Sequence, residues 1–234
     1  MADEMSLKQL PLTLIVAATP TNGIGRNGGL PWPMLKKEMA YFARVTKRLP
    51  TPTSTGSTSP INNNASRQTS MAGARKNVVI MGRKTWESIP TKFRPLKDRT
   101  NVVLSTKSRT ELGSVPDDVV VASNILHGLE SLEQRVRNGE AAPVGRAFVI
   151  GGSSIYQAAM ELEQTKAVLL TRIAKDYECD TFFPGELGES SAGWQRKSRE
   201  DLQAFVGEEI SEHAMTDGSD GELVSFEFQL YERP

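Results

Sequence analysis

The chain is organised around residues 23–42, which read G-I-G-R-N-G-G-L-P-W-P-M-L-K-K-E-M-A-Y-F. Pro33 predicts a helix start, because the first turn of a helix needs no proline N–H. Met39 and Phe42 are among the apolar residues that follow at helical spacing, and Glu38 lies on the edge of their face. A carboxylate in apolar surroundings is costly unless a cation or a ligand with matching donors pairs with it. Glu38 is therefore the first candidate functional residue.

Composition limits the class of protein. The 234 residues are enough for one domain with a full core. Lysine and arginine total 28, and aspartate and glutamate also total 28, so no basic field favours nucleic acid or a membrane surface. The single cysteine, Cys179, excludes an internal disulfide and a cysteine-cluster metal site. We expect a soluble, cytoplasmic monomer that binds a small molecule, with no bound metal.

Alternating strand and helix patterns predict an α/β fold with one predominantly parallel central sheet of about eight strands flanked by helices. Alternation over 224–230, after the D-G-S-D-G turn at 217–221, adds a C-terminal antiparallel hairpin, with His213 in the strand before it. A helix is predicted from a Ser123 cap to about Asn138. The remaining predicted elements are strands at 12–19, 77–81, 101–105, 119–122, 147–150 and 168–173, and a helix at 83–89.

Two glycine patterns compete as a phosphate-binding site. Residues 23–28 fit G-x-G-x-x-G after a strand, but a Rossmann helix opens at the third glycine, whereas residues 29–33 intervene here. Residues 81–85 (M-G-R-K-T) and 150–154 (I-G-G-S-S) are better candidates. Each places glycine at a strand-to-helix junction, where a phosphate can approach free N–H groups.

Six segments, in this order along the chain, resemble eukaryotic-type dihydrofolate reductase. They are L-P-W-P with Glu38 (30–38), V-I-M-G-R-K-T-W-E-S-I-P (79–90), R-P-L-K-D-R (94–99), F-V-I-G-G-S-S-I-Y (148–156), L-T-R-I (170–173) and D-T-F-F-P (180–184). The resemblance implies NADPH-dependent reduction of 7,8-dihydrofolate to 5,6,7,8-tetrahydrofolate, by hydride transfer to pterin C6 and protonation of N5. It also implies binding of antifolate inhibitors.

The segment at about 49–75 is rich in serine, threonine and asparagine and has almost no apolar anchors. It cannot bury enough apolar surface to offset its ordering entropy. Because the resemblance continues on both sides, it is predicted to be a flexible insertion within a single domain that covers residues 1–234.

The resemblance also implies the substrate site. Glu38 would accept hydrogen bonds from the 2-amino group and the adjacent ring N–H of the pterin, and Thr171 would steady Glu38 through its hydroxyl and a water. Arg99 would bind the glutamate α-carboxylate of folate. The implied catalytic residues are Glu38, Thr171, Leu30 and Trp32. The implied substrate-binding residues are Ile15, Val16, Ala17, Glu38, Met39, Phe42, Ser88, Ile89, Leu96, Arg99, Ile150, Tyr156 and Thr171.

For NADPH, the resemblance implies that both glycine junctions hold the pyrophosphate and that the Gly151–Gly152 bond is cis. The family commonly has arginine after the Leu-Ser of the third strand, and Thr106 stands there in this chain, which leaves Arg83, Ser105 and Lys107 for the 2′-phosphate. The loop at 20–28 would close over nicotinamide. The implied cofactor-binding residues are Ala17, Ile24, Gly28, Gly82, Arg83, Lys84, Thr85, Leu104, Ser105, Thr106, Lys107, Ile150, Gly151, Gly152, Ser153, Ser154, Ile155, Tyr156 and Thr181.

Two alternatives stay open at this point. One is a pyrimidinone reductase of flavin synthesis, which has a related fold, although L-P-W-P with Glu38 argues against it. The other is a non-catalytic module that binds NADPH and a pterin.

Overall fold

The computed structural model describes residues 6–49, 75–185, 187, 193–219 and 221–234. Its strands are β1 (Leu12–Ala18), β2 (Gly23–Gly25), β3 (Lys76–Gly82), β4 (Arg99–Leu104), β5 (Val120–Ala122), β6 (Val144–Val149), β7 (Thr165–Ile173), β8 (Thr181–Phe182), β9 (Gln195–Arg196), β10 (Met215–Ser219) and β11 (Glu222–Glu232). Its α-helices are α1 (Lys36–Lys47), α2 (Arg83–Ser88), α3 (Ile125–Arg137), α4 (Ser153–Met160) and α5 (Arg199–Val206). Short 3-10 turns occupy Leu7–Gln9, Thr91–Phe93 and Thr110–Leu112.

Nine strands form the central sheet, in the order β10-β11-β7-β1-β6-β3-β4-β5 with β9 paired to β11. The six strands from β7 to β5 run parallel, so their carboxyl ends share one edge of the sheet. The strands β10, β11 and β9 are antiparallel additions. The predicted α/β fold and C-terminal antiparallel hairpin are therefore confirmed, and the two-residue strand β9 was not predicted.

Apolar side chains alternate between the two faces of the sheet, and helices cover both faces. On one face, Leu14 and Val16 of β1 pack with α3 and α4. On the other face, Ile15 packs with Tyr41 of α1 and with side chains of α2 and α5. A smaller cluster around Trp32, Leu35 and Phe226 closes the second face beside the hairpin. The site described below lies on this second face.

Helix α1 begins at Lys36, so the predicted start at Pro33 is wrong. Leu35 has extended dihedrals and provides no side-chain cap. The cap comes instead from the hairpin, because Asp217 Oδ2 accepts a hydrogen bond from the Lys37 N–H at 2.6 Å. Sequence spacing around Pro33 gives no sign of a partner so far along the chain.

Three other local predictions differ from the structure. Helix α3 is capped by Asn124, whose side chain accepts from the His127 N–H, rather than by Ser123. The predicted turn at 217–221 is shorter, because Ser219 still pairs with Glu222 across the hairpin. His213 lies in a bend before β10, not in a strand. Helix α5 was not predicted, although Ser198 and Asp201 form the capping box that marks its start.

The predicted insertion at about 49–75 lies outside the described residues except for its two ends. Within the part of the chain that the structure describes, no helix combines the length and the apolarity needed to cross a membrane.

Candidate active site

The centre of the site is Glu38, the third residue of α1, which is only 8% exposed. Thr171 on β7 donates its hydroxyl to Glu38 Oε1 at 3.2 Å, a direct bond where a bridging water was expected. Burial raises the pKa of Glu38 to about 7, and the bond from Thr171 opposes that rise. A carboxyl with such a pKa can hold or release a proton near neutrality.

The face of α1 that turns inward differs from the prediction. Glu38, Tyr41 and Val45 are buried at helical spacing, whereas Met39 is 47% exposed. Phe42 lies between these faces and is half-buried. The predicted inward face, which included Met39, was therefore wrong. Leu35 lies before the helix, so helical spacing counted from Leu35 does not identify the buried residues.

Trp32 is buried beside α1 and packs edge-to-face against Tyr177, with ring centroids 6.1 Å apart. Its neighbour Leu30 is 54% exposed on the loop before the helix. The Tyr156 hydroxyl donates to the carbonyl of Ile15 at 2.7 Å, which ties α4 to β1. Ala17, two residues further on the same side of β1, is half-buried. Trp32 and Ala17 thus belong to the apolar cluster beside the start of α1, where Glu38 lies.

Val16 does not join the predicted apolar wall. Adjacent strand residues point to opposite faces, and the Val16 side chain packs with the α3 and α4 cluster. The wall that the structure brings together contains half-buried residues that pack on the Ile15 and Tyr41 cluster, namely Phe42, Ile89, Leu96 and Ile150. Ser88 is exposed, and its hydroxyl donates to the Thr85 carbonyl.

Arg99 lies at the opposite end of α1 from the Glu38 turn. Its Nη1 donates to Thr46 Oγ1 at 2.8 Å and its Nε to the Lys97 carbonyl at 3.0 Å. Its guanidinium carbon lies 5.9 Å from the centre of the Phe42 ring. Burial lowers the pKa of Arg99, although arginine stays cationic in proteins. The side chain is thus held in place as a cation beside the apolar wall.

Two glycine junctions lie side by side at the carboxyl edge, because β3 and β6 are paired neighbours. The Gly82 N–H donates to the Gly151 carbonyl at 2.8 Å, and the Gly151–Gly152 bond is cis, as predicted. Neither α2 nor α4 has a side-chain cap at its N-terminus. A Cβ added to Gly82 would lie 2.9 Å from Ile155 Cγ1, and one added to Gly152 would lie 3.5 Å from Thr85 Oγ1. The two uncapped helix starts therefore form a close-packed cradle that fits a nucleotide phosphate.

The polar residues around this cradle have different partners. Arg83 Nη1 donates to both carboxylate oxygens of Glu87, at 2.7 and 2.9 Å, so Arg83 is not a free phosphate ligand. Ser153 donates to the Phe182 carbonyl, which connects the cradle to β8. Ser105 accepts from the Lys107 N–H. Lys84, Ser154, Thr106 and Lys107 are exposed. Leu104 is buried in the α3 and α4 cluster, so only its backbone is available.

The loop at 20–28 contains β2 and no helix, which confirms that residues 23–28 are not a Rossmann loop. Gly25 pairs with Thr181 of β8, and Ile24 is half-buried against the core. Gly28 has a positive φ of 79°. The Arg26 side chain reaches Glu178 at 2.6 Å and the Thr21 hydroxyl donates to Asp176 Oδ1 at 2.7 Å, so both sides of the loop are tied to the segment after β7.

The residue that sequence reasoning missed is Tyr41, whose ring stacks on Phe228 of β11 with centroids 3.7 Å apart. Its position three residues after Glu38 was the available signal. Phe228 belongs to a strand that was predicted, but its partner could not be assigned without the pairing of β11 with β7.

Fold and site together define a class of α/β enzymes with a nucleotide cradle and a buried carboxylate at the carboxyl edge of a parallel sheet. The sequence model of the dihydrofolate reductase family matches residues 67–215. A dihydrofolate reductase of Pneumocystis carinii is 38% identical over 229 residues, covering 97% of this chain and 98% of the relative. A dihydrofolate reductase of Rattus norvegicus is 41% identical over 175 residues, covering 74% of this chain and 79% of the relative. The solved structure of Schistosoma mansoni dihydrofolate reductase has a TM-score of 0.67 at 29% identity, covering 96% of this chain and 99% of the other. The chain belongs to the dihydrofolate reductase family.

Proposed function

We propose that this chain reduces 7,8-dihydrofolate to 5,6,7,8-tetrahydrofolate with NADPH. The observation that carries the proposal is Glu38, a buried carboxyl with Thr171 as its hydrogen-bond partner. Membership of the dihydrofolate reductase family supports the same reaction.

Glu38 has the chemistry to bind the pterin. Its two oxygens match the 2-amino group and the adjacent ring N–H, and the resulting charge-assisted pair replaces the water lost on burial. The raised pKa of about 7 keeps part of the Glu38 population protonated at neutral pH, and either Glu38 itself or a water that it positions would supply the proton to N5. The hydroxyl of Thr171 fixes the carboxyl plane.

The remaining substrate contacts follow the apolar wall. Phe42, Ile89 and Leu96 offer half-buried surface for the aminobenzoyl ring. Arg99, already held by Thr46, would bind the α-carboxylate with the donors that its protein bonds leave available. Antifolate inhibitors that carry the same donor edge would compete for Glu38.

The cradle at Gly82 and Gly151–Gly152 would hold the NADPH pyrophosphate, with backbone N–H groups of α2 and α4 as donors. NADPH supplies the hydride when it is bound. Thr85 and Ser154 are hydroxyl candidates at these helix starts. Lys84 and Lys107 are exposed cations available to the 2′-phosphate, whereas Arg83 would first have to leave Glu87.

The test follows the loss of reduced-nicotinamide absorbance when dihydrofolate is added to protein and NADPH. Wild-type protein should oxidise NADPH, and Glu38→Gln should still bind NADPH but lose most turnover. Near-normal turnover in Glu38→Gln would remove this residue from the mechanism. Absence of oxidation by folded protein that binds both ligands would leave the non-catalytic module as the correct reading.

A further inference from the structure

The inference concerns the aromatic pair behind Glu38. Tyr41 is 2% exposed and stacks on Phe228 with ring planes 17° apart. Tyr41 and Glu38 are three residues apart on α1, so they share the inward face of the helix. Contacts that hold the Tyr41 ring in place therefore also set the distance between Glu38 and the sheet.

Phe228 connects this stack to the partner of Glu38. In the antiparallel pairing of β11 with β7, Phe228 lies directly opposite Thr171, so the two side chains project from the same face. Thr171 in turn donates to Glu38. The four residues Glu38, Tyr41, Phe228 and Thr171 thus form a closed circuit through α1, β11 and β7, which we call the four-residue circuit.

Glu38 depends on this circuit because few other groups hold it. Thr171 is its hydrogen-bond partner among the described residues, and no ion pair to Glu38 occurs there. The titratable side chains near it are Tyr41 on α1 and Tyr156 on α4; burial raises the pKa of both, and the charge of Glu38 raises it further. Glu208 and Arg44 lie beyond Tyr41 and act on the tyrosine. The carboxyl position is therefore set by how α1 packs on the sheet.

The Tyr41 contribution comes from its ring. Within the described structure, the buried Tyr41 hydroxyl has no hydrogen-bond partner, so polar contacts do not hold the residue. Phe228 also lines a surface cleft with Leu202, Ile210 and Met215. A smaller side chain at position 228 would extend that cleft toward Tyr41 and admit water behind Glu38.

We propose that Tyr41 and Phe228 are positioning residues, whose stacked rings set the Glu38–Thr171 distance and keep water away from the Glu38 carboxyl. Their effect on catalysis rests on the proposed dihydrofolate reduction, whereas their effect on the Glu38 carboxyl does not. Loss of the stack should hydrate Glu38 and move its titration toward that of an ordinary glutamate.

The experiment titrates the Glu38 carboxyl by ¹³C NMR in ligand-free protein labelled at glutamate Cδ, with the signal assigned from Glu38→Gln. Tyr41→Phe keeps the stack and should titrate like wild type. Tyr41→Leu and Phe228→Leu lose the stack and should titrate about one pH unit lower. Turnover at pH 7 should fall about tenfold in the two leucine variants, with the KM for NADPH unchanged.

Leu132→Ala is the matched control, because it removes a buried side chain from the opposite face of the sheet. It should lower stability and leave the Glu38 titration unchanged. Equal midpoints in wild type and both leucine variants, or an equal shift in Leu132→Ala, would overturn the proposal. If a leucine variant does not fold, Phe228→Met is the second variant, with the same expected shift. A shifted titration in protein that does not reduce dihydrofolate would leave the positioning intact and reject only the proposed function.

Discussion

Glu38 makes stability depend on pH in the direction opposite to that of a salt-bridged carboxylate. Its pKa rises from 4.5 to about 7 on folding, so the native state binds the proton more tightly than the unfolded state does. Between these values the unfolded chain has already lost the proton, and stability falls as pH rises. Above pH 7 the full penalty of about 3 kcal/mol applies.

We therefore expect Glu38→Gln to raise the free energy of unfolding at pH 8 by up to about 3 kcal/mol. At pH 5 most of this gain should be absent, because wild-type Glu38 is then protonated in the native state. Urea unfolding at the two pH values measures the difference. A gain that is the same at both pH values would contradict the burial of an ionisable Glu38.

Arg99 can be tested against a second arginine in a similar environment. Arg146 is also partly buried, lies 4.8 Å from the centre of the Phe205 ring and donates to a backbone carbonyl. Arg99→Leu should weaken dihydrofolate binding about 10- to 100-fold, the value of a lost charge-assisted bond, and leave NADPH affinity unchanged. Arg146→Leu should change neither. Calorimetric titration of each variant with dihydrofolate and with NADPH measures both affinities. A parallel loss of NADPH affinity in Arg99→Leu would contradict the proposed role of Arg99 in folate binding.

Two of the buried tyrosines, Tyr41 and Tyr156, should respond oppositely to loss of their hydroxyls. Tyr41 has no hydrogen-bond partner among the described residues, whereas Tyr156 donates to the Ile15 carbonyl. Tyr41→Phe should raise the free energy of unfolding by up to about 1 kcal/mol, and Tyr156→Phe should lower it by about 1 kcal/mol. Urea unfolding of both variants checks this. A clear loss of stability in Tyr41→Phe would mean that its hydroxyl has a partner.

Single residues of the site were easier to predict than their contacts. Glu38 could be selected because a charge beside apolar positions needs a partner, and its link to Thr171 came from the family resemblance. Val16 was assigned to the same wall as Ile15, although strand alternation sends the two side chains to opposite faces. The Tyr41–Phe228 stack was beyond prediction, because it depends on the register of β11 against β7.

At the scale of elements, the hairpin determines where α1 begins. Asp217 of β10 accepts from the Lys37 N–H, and Lys37 Nζ donates to the Thr216 carbonyl at 2.8 Å. The same bond to Lys37 lowers the pKa of Asp217. A carboxylate at a helix N-terminus satisfies a free donor and complements the helix dipole.

We expect Asp217→Ala to cost about 1 kcal/mol of stability and to speed amide exchange in the first turn of α1, next to Glu38. Ser198→Ala, which removes the cap of α5, is the matched control. It should cost a similar amount without affecting exchange in α1. Unchanged exchange at Lys37 and Glu38 in Asp217→Ala would show that the hairpin does not hold this turn.

The hydrophobic pattern was enough to predict whether a segment is a strand or a helix. The residue at which a helix starts depended on individual capping hydrogen bonds. The long buried strands β1, β3 and β7 were predicted because uninterrupted apolar runs leave few alternatives. The starts of α1 and α3 were displaced because the capping groups, Asp217 and Asn124, were not those nearest the pattern. Helix α5 shows the reverse case. Its capping box is present in the sequence, but we did not predict a helix from it.

At the scale of the whole molecule, the segment at about 49–75, which we predict to be an insertion, lies between α1 and β3. Its described ends are held by Asn77, whose side chain donates to the carbonyls of Thr46 and Arg48 at 3.0 and 2.9 Å. The Asn77 Oδ1 also accepts from the Arg146 N–H. These bonds fix both ends of the connection independently of the residues between them.

Deletion of residues 53–70 should therefore leave dihydrofolate turnover and the urea midpoint nearly unchanged, because these residues carry almost no apolar side chains to bury. Steady-state kinetics and unfolding of the deletion variant measure this. A collapse in turnover by a variant that folds would show that the segment takes part in the reaction.

The place of β11 in the sheet has a consequence for how the protein is made. Lys37 and Glu38 emerge early from the ribosome, but Asp217, which caps the helix at Lys37, follows 180 residues after Lys37, and Phe228 later still. A nascent chain that stops before β10 has neither the stacked ring of Phe228 nor the Asp217 cap. We therefore expect a nascent chain to bind a folate or an antifolate only after the last strand of the sheet has been released and paired.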